Sequence, residues 1–127
     1  MTKTAVIGSP VQHSLSPAIH NHWFIENEMK DCTYEKIEVG HNNFSEAIDS
    51  LNEQGYLGLN VTVPLKEAAY EKSDKLSESA IQTKAVNTLL FRDGKIFGYN
   101  TDPVGFTKSL SQKVIDKKIN KKNCLLL

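Results

Sequence analysis

The sequence predicts an α/β fold in which a mainly parallel sheet is flanked by helices and carries an antiparallel edge hairpin. Three observations lead there. Runs rich in β-branched and apolar residues at Thr4–Gly8, Thr33–Val39 and Leu59–Val63 alternate with segments of helical periodicity, the order that yields parallel strands joined by crossover helices. Ala85–Phe91 and Lys95–Tyr99 flank Arg92-Asp93-Gly94, and an Asp-Gly pair readily takes the positive φ of a tight hairpin turn. Polar clusters stand at the predicted strand ends and helix starts, where a small polar ligand can be gripped by fixed donors.

Each element has a local reason. Thr4–Gly8 is a short buried strand stopped by Gly8-Ser9-Pro10, and a helix follows from Ser16, because serine caps well and Pro17 suits the first helical position. Its apolar face is expected to include Ile19, Trp23 and the segment Ile25–Met29. Thr33–Val39 has strand composition. Phe44, Ala47, Ile48 and Leu51 recur at helical spacing behind Asn42-Asn43. Gly55 and Gly58 are expected to bracket a turn before Leu59–Val63, whose alternation puts Asn60 and Thr62 on one face and Val61 and Val63 on the other. Pro64 stops that strand and Lys66 falls in the first turn of the next helix. Ser77–Ile81 starts another short helix, and a last one, carrying Phe106, Leu110 and Val114 on one face, begins near Asp102-Pro103.

The 127 residues suit one core, with 39% hydrophobic content. Fifteen basic residues balance fifteen acidic ones, so no net field draws the chain to nucleic acid or an anionic membrane, and neither partner is expected. No apolar run approaches the length of a bilayer span. Cys32 and Cys124 are isolated and the N-terminus lacks the pattern of a secretory signal, which points to the cytoplasm. The histidines and cysteines have no metal-ligand spacing, so no metal is expected. Arg92, the sole arginine, lies in the hairpin turn; a bound carboxylate must therefore be met by hydroxyls, backbone amides and lysine.

Four clusters carry the chemical interest. Ser14 and Ser16 stand two apart at a helix entrance, where hydroxyls and free amides can face an anion; alone, such a pair is an ordinary helix start. Asn60, Thr62 and Lys66 surround Pro64 at a strand-to-helix junction. Asn87 precedes a strand, and Thr101-Asp102 opens the final helix. Each taken singly is a cap, a turn residue or a surface lysine, and shared geometry would be needed to make them one site.

Gly8-Ser9-Pro10-Val11 through His13-Ser14-Leu15-Ser16-Pro17 and His20-Asn21, Asn60-Val61-Thr62-Val63-Pro64-Leu65-Lys66, Ala85-Val86-Asn87-Thr88, and Asn100-Thr101-Asp102 through Gly105-Phe106 together resemble shikimate dehydrogenase, over about residues 4–110. The resemblance implies that family's substrate-domain fold and the NADPH-dependent, reversible reduction of 3-dehydroshikimate to shikimate in aromatic amino acid biosynthesis. It implies that Ser14, Ser16 and Thr62 hold the substrate carboxylate, that Lys66, Asn87 and Asp102 contact ring hydroxyls, and that Asn60 and Thr101 support the pocket. Lys66 and Asp102 would be the catalytic pair. An ammonium offsets the charge that hydride addition builds on the ketone oxygen and then protonates it. The reverse reaction needs a neutral lysine and should improve at alkaline pH.

The sequence departs from the family at Lys84, where glycine is usual before Ala-Val-Asn-Thr. Glu78 matches a position on the family's cofactor side, insufficient by itself to hold NADP. The family's glycine-rich pyrophosphate loop would follow Leu125–Leu127, beyond which the sequence given does not run. Residues 1–110 are accordingly expected to form a substrate-binding and catalytic domain. Residues 111–127 would be a linker helix end and the first strand of a dinucleotide-binding domain, and the 127-residue chain alone is expected to be inactive. The alternatives are a quinate/shikimate dehydrogenase relative and a non-catalytic module that binds small carboxylates.

Overall fold

The computed structural model describes residues 1–110. The expected strand at Leu125–Leu127, the linker before it and Val114 lie outside the described residues. Strands β1 (Thr2–Gly8), β2 (Cys32–Glu38), β3 (Tyr56–Val61), β4 (Lys75–Leu76), β5 (Thr88–Arg92) and β6 (Lys95–Tyr99) form one sheet in the order β2-β1-β3-β5-β6-β4. β1 runs parallel to β2 and β3, and β4 parallel to β6, while β5 pairs antiparallel with β3 and β6. The helices are α1 (Ser16–Glu26), α2 (Phe44–Glu53), α3 (Lys66–Lys72), α4 (Glu78–Thr83) and α5 (Asp102–Ser109). Among them no helix is long and apolar enough to cross a membrane.

One sheet face carries the main core. Phe44, Ile48 and Leu51 of α2 pack with Ala5, Ile7, Leu59, Val61, Leu65 and Leu89, the contacts that the 44-48-51 spacing requires. A side chain as enclosed as Ile48 or Leu59 contributes about 1.5–3 kcal/mol through burial. On the other face α1 covers only part of the sheet, where Val6, Val11 and Tyr34 meet Phe24. The expected apolar face of α1 is not the buried one. Trp23 is 54% exposed, Ile19, Ile25 and Met29 face solvent too, and the inward residues are His20, Asn21 and Phe24. Asn21 donates to the Tyr34 carbonyl and accepts the Tyr34 N–H, so polar pairing with β2 fixes the helix where apolar periodicity suggested another side.

Other boundaries shift for identifiable reasons. Gly55, at φ +80, makes the turn before β3, but Gly58 lies inside the strand, where an added Cβ would stand 2.5 Å from the Leu89 carbonyl oxygen. Gly58 permits close strand approach and does not close the turn. β3 ends at Val61, so Val63 is outside the sheet and exposed. β5 begins at Thr88; ahead of it the Val86 N–H is taken by the Lys66 carbonyl, while the Asn87 N–H still bonds the Tyr99 carbonyl of β6. The hairpin turn forms at Asp93-Gly94, both at positive φ, and the two-residue β4 adds beyond its outer strand. Phe106 is exposed and α5 buries no residue, contrary to the face expected there.

Candidate active site

Topology brings the four clusters to one end of the sheet. The carboxyl ends of the parallel strands β1 and β3 lead into the Ser14 and Lys66 segments, and β6 leads into Asp102. The antiparallel β5 begins at that same end, with Asn60 paired to Thr88 and Thr88 to Tyr99. Ligand sites of open α/β sheets lie at such strand ends.

Gly8 brings the first two segments together. A Cβ there would collide with the Thr62 side chain and stand 3.0 Å from the Val63 carbonyl. The Ser9 N–H donates to that carbonyl and the Thr62 N–H to Ile7. Glu38 holds the loop leading to the serines, accepting from the Ser9 hydroxyl at 2.6 Å and the Val11 N–H at 3.2 Å. Ser16 is not the helix cap expected of it: Leu15 occupies that position without a side-chain bond, and the Ser14 hydroxyl accepts the Ser16 N–H at 3.3 Å. The Ser16 side chain is thereby free of capping.

Lys66 opens α3, and its Nζ lies 2.5 Å from Asp102 Oδ2. Asp102 Oδ1 accepts from Asn87 Nδ2 at 3.0 Å, and the same Nδ2 donates to Thr101 Oγ1 at 2.8 Å. The Thr101 N–H returns a bond to Asn87 Oδ1. Lys66, Asn87, Thr101 and Asp102 thus form one cluster, with both Asp102 oxygens engaged and the Lys66 ammonium partly open to solvent. Asn60 joins it from β3, donating to Thr88 Oγ1 at 3.1 Å.

Two further residues take part. Asn100, 5% exposed, accepts the Asp102 N–H on Oδ1, donates to Thr83 from Nδ2, and accepts Ser79 on its carbonyl. It fixes the start of α5 against α4. Tyr34 donates to Asn60 Oδ1 at 2.6 Å and stacks on His20, ring centroids 4.1 Å apart. Burial pushes the Tyr34 phenol up to about 12, the influence of the Ser16 hydroxyl pulling the other way, and burial lowers His20 below its ordinary 6.5. Tyr34 by itself reads as core, and its place beside Asn60 depends on the strand order, which sets β1 between β2 and β3.

Glu78 is exposed on the first turn of α4, its carboxylate accepting from Gln82 of the same helix, and shares no hydrogen bond with Lys66, Asn87 or Asp102. Lys84 ends α4 at φ 51, ψ 35. A left-handed backbone there is the physical reason glycine suits that position.

A family model described as the shikimate dehydrogenase substrate binding domain matches residues 6–89. NADP(+)-type shikimate dehydrogenases of Mesorhizobium japonicum and Pelagibacter ubique are 44% and 41% identical over 85% and 100% of this chain. The chain spans 38% and 47% of those relatives' lengths. The structure of shikimate 5-dehydrogenase from Thermus thermophilus in complex with NADP(H) and shikimate superposes with a TM-score of 0.77 at 38% identity, over 85% of this chain and 41% of that one. With two thirds of its length matching the family model and its fold shared with that enzyme, the chain belongs to the shikimate dehydrogenase substrate-binding domain family.

Proposed function

We propose that this chain is the substrate-binding part of an NADP-dependent shikimate dehydrogenase, which interconverts 3-dehydroshikimate and shikimate. The observation that carries the reading is the Lys66–Asp102 contact, with Asn87 on the second carboxylate oxygen and Lys66 still partly exposed. A half-exposed ion pair contributes only about 0–1 kcal/mol to stability, so its value lies in where it holds the ammonium. Lys66 presents a proton donor to the substrate oxygen as the ketone becomes an alcohol, and Asp102 orients it. Ser14, Ser16 and Thr62, gathered by the Gly8 approach, are the carboxylate side of the pocket, while Asn60 and Thr101 hold its frame.

When bound, NADPH would supply the hydride that reduces the ketone, and NADP+ would take hydride back from the alcohol in the reverse direction. The described residues offer it no pyrophosphate cradle: their glycines show no Gly-x-Gly spacing, and Glu78 stands alone. Within residues 1–110 the side chains named above act on the organic substrate.

Titration calorimetry with shikimate and with quinate tests the reading. Saturable binding of shikimate, one per chain, is expected. Tighter binding of quinate would indicate the broader relative, and no binding of either would contradict the assignment.

A further inference from the structure

We propose that Thr88 is a positioning residue: its hydroxyl locks the Asn87 side-chain amide, and through it the Asp102 carboxylate, as a link in a one-way hydrogen-bond chain that starts at Tyr34. The chain is continuous. The Tyr34 hydroxyl donates to Asn60 Oδ1 at 2.6 Å, Asn60 Nδ2 donates to Thr88 Oγ1 at 3.1 Å, Thr88 Oγ1 donates to Asn87 Oδ1 at 3.0 Å, and Asn87 Nδ2 donates to Asp102 Oδ1 at 3.0 Å. Every hydrogen points toward the carboxylate, and bonds aligned in one sense polarise each other.

The direction follows from each group's capacity. Asn60 Nδ2 can only donate, so it uses a lone pair of Thr88 and leaves the Thr88 hydrogen for Asn87. Asn87 Oδ1 then receives two donors, Thr88 and the Thr101 N–H, while its Nδ2 gives to Thr101 Oγ1 and Asp102. A flipped amide would set NH2 against two donors and an oxygen against a carboxylate. The sheet builds this in, because Thr88 is the register partner of Asn60 and their side chains share one face. The Tyr34 phenol, held protonated by its burial, remains the donor that starts the sequence.

The plain alternative is that Thr88 is a β-branched strand residue valued for shape. Valine keeps that shape and removes the hydroxyl. Heteronuclear NMR of the 127-residue chain reads the side-chain NH2 signals of Asn60 and Asn87. Thr88→Val should displace both signals and speed their exchange with water, and Thr88→Ser should restore the parental positions. Tyr34→Phe, which keeps the ring stacked on His20, should displace Asn60 more than Asn87. Unmoved Asn87 signals in Thr88→Val, or equal displacement in Thr88→Ser, would overturn the proposal. If the valine variant does not fold, unmoved Asn60 signals in Tyr34→Phe would overturn it instead.

The consequence for ligand rests on the shikimate reading. Calorimetry should show about tenfold weaker shikimate binding by Thr88→Val, the effect of misaligning one charge-linked hydrogen bond, and parental affinity would contradict that consequence. A parental chain that binds no shikimate would count against the functional reading and leave the NMR result standing.

Discussion

Lys66 is separable from the fold. Its pairing with Asp102 is partly solvated, so Lys66→Ala should leave stability within about 1 kcal/mol of the parent. In the full-length protein it should lower turnover ~10²–10⁴-fold, the usual range for positioned proton transfer, while changing KM for shikimate far less. Unchanged turnover would remove Lys66 from the mechanism. In the proposed pocket Ser14 and Ser16 would face the unreacting carboxylate, and their joint replacement by alanine should mainly raise KM. A parental KM would reduce them to helix-entry residues. Tyrosine and histidine burial makes stability depend on pH at both ends. Tyr34 and Tyr56 are both raised from 10.0 to about 12, chiefly by burial. Between those values the unfolded chain has lost protons that the folded one keeps, so stability should fall as pH climbs from 10 toward 12. His20, lowered by burial, works at the other end: stability is complete above 6.5 and declines as pH drops through its folded value. Denaturant titrations across pH check both signs, and a stability that rose above pH 10 would contradict the burial of both phenols. Lys66, Asn87, Thr101 and Asp102 could be read from sequence because each sits at a junction of elements. Tyr34 could not, because its partner lies 26 residues away; Asn100 falls within the Asn100-Thr101-Asp102 motif, but its buried bracing of α5 has no local signature.

At the scale of elements, two backbone positions make measurable demands. Gly58 has no room for a methyl beside the Leu89 carbonyl, so Gly58→Ala should cost about 1–3 kcal/mol through forced displacement of β5. Lys84 holds a left-handed backbone that favours glycine. Lys84→Gly should raise stability by about 0.5–1 kcal/mol, the relief of a roughly 1–2 kcal/mol strain less glycine's added chain entropy. Thermal unfolding of the two variants checks these opposite signs. Elements whose pattern is local were legible: α2 from Phe44, Ile48 and Leu51, and the hairpin from Asp93-Gly94. The inward side of α1 was not, since Asn21 pairs with the Tyr34 backbone and no apolar period records that contact. β4 was missed because two residues, Lys75 and Leu76, are too short to show alternation. Gly58 was misassigned because a turn glycine and a close-approach glycine look alike until the neighbouring strand is known.

Across the whole molecule, a sheet of mixed direction turns four separated segments into one site. Parallel β1 and β3 and the outgoing β6 release their loops at the end where antiparallel β5 begins. Fold class and the existence of the clusters were therefore readable from strand–helix alternation, while their convergence depended on a strand order that no local pattern states. The apolar groove beside α1, lined by Phe24, Leu57, Leu90 and Tyr99 and also by Tyr34 and Asn60, is a competing place for a ligand. Chemical-shift mapping during a shikimate titration separates the two. Perturbations should concentrate at Ser14, Ser16, Thr62, Lys66, Asn87 and Asp102; shifts confined to Phe24, Leu57 and Leu90, or none at saturating ligand, would contradict the assignment of this strand-end cluster as the shikimate site.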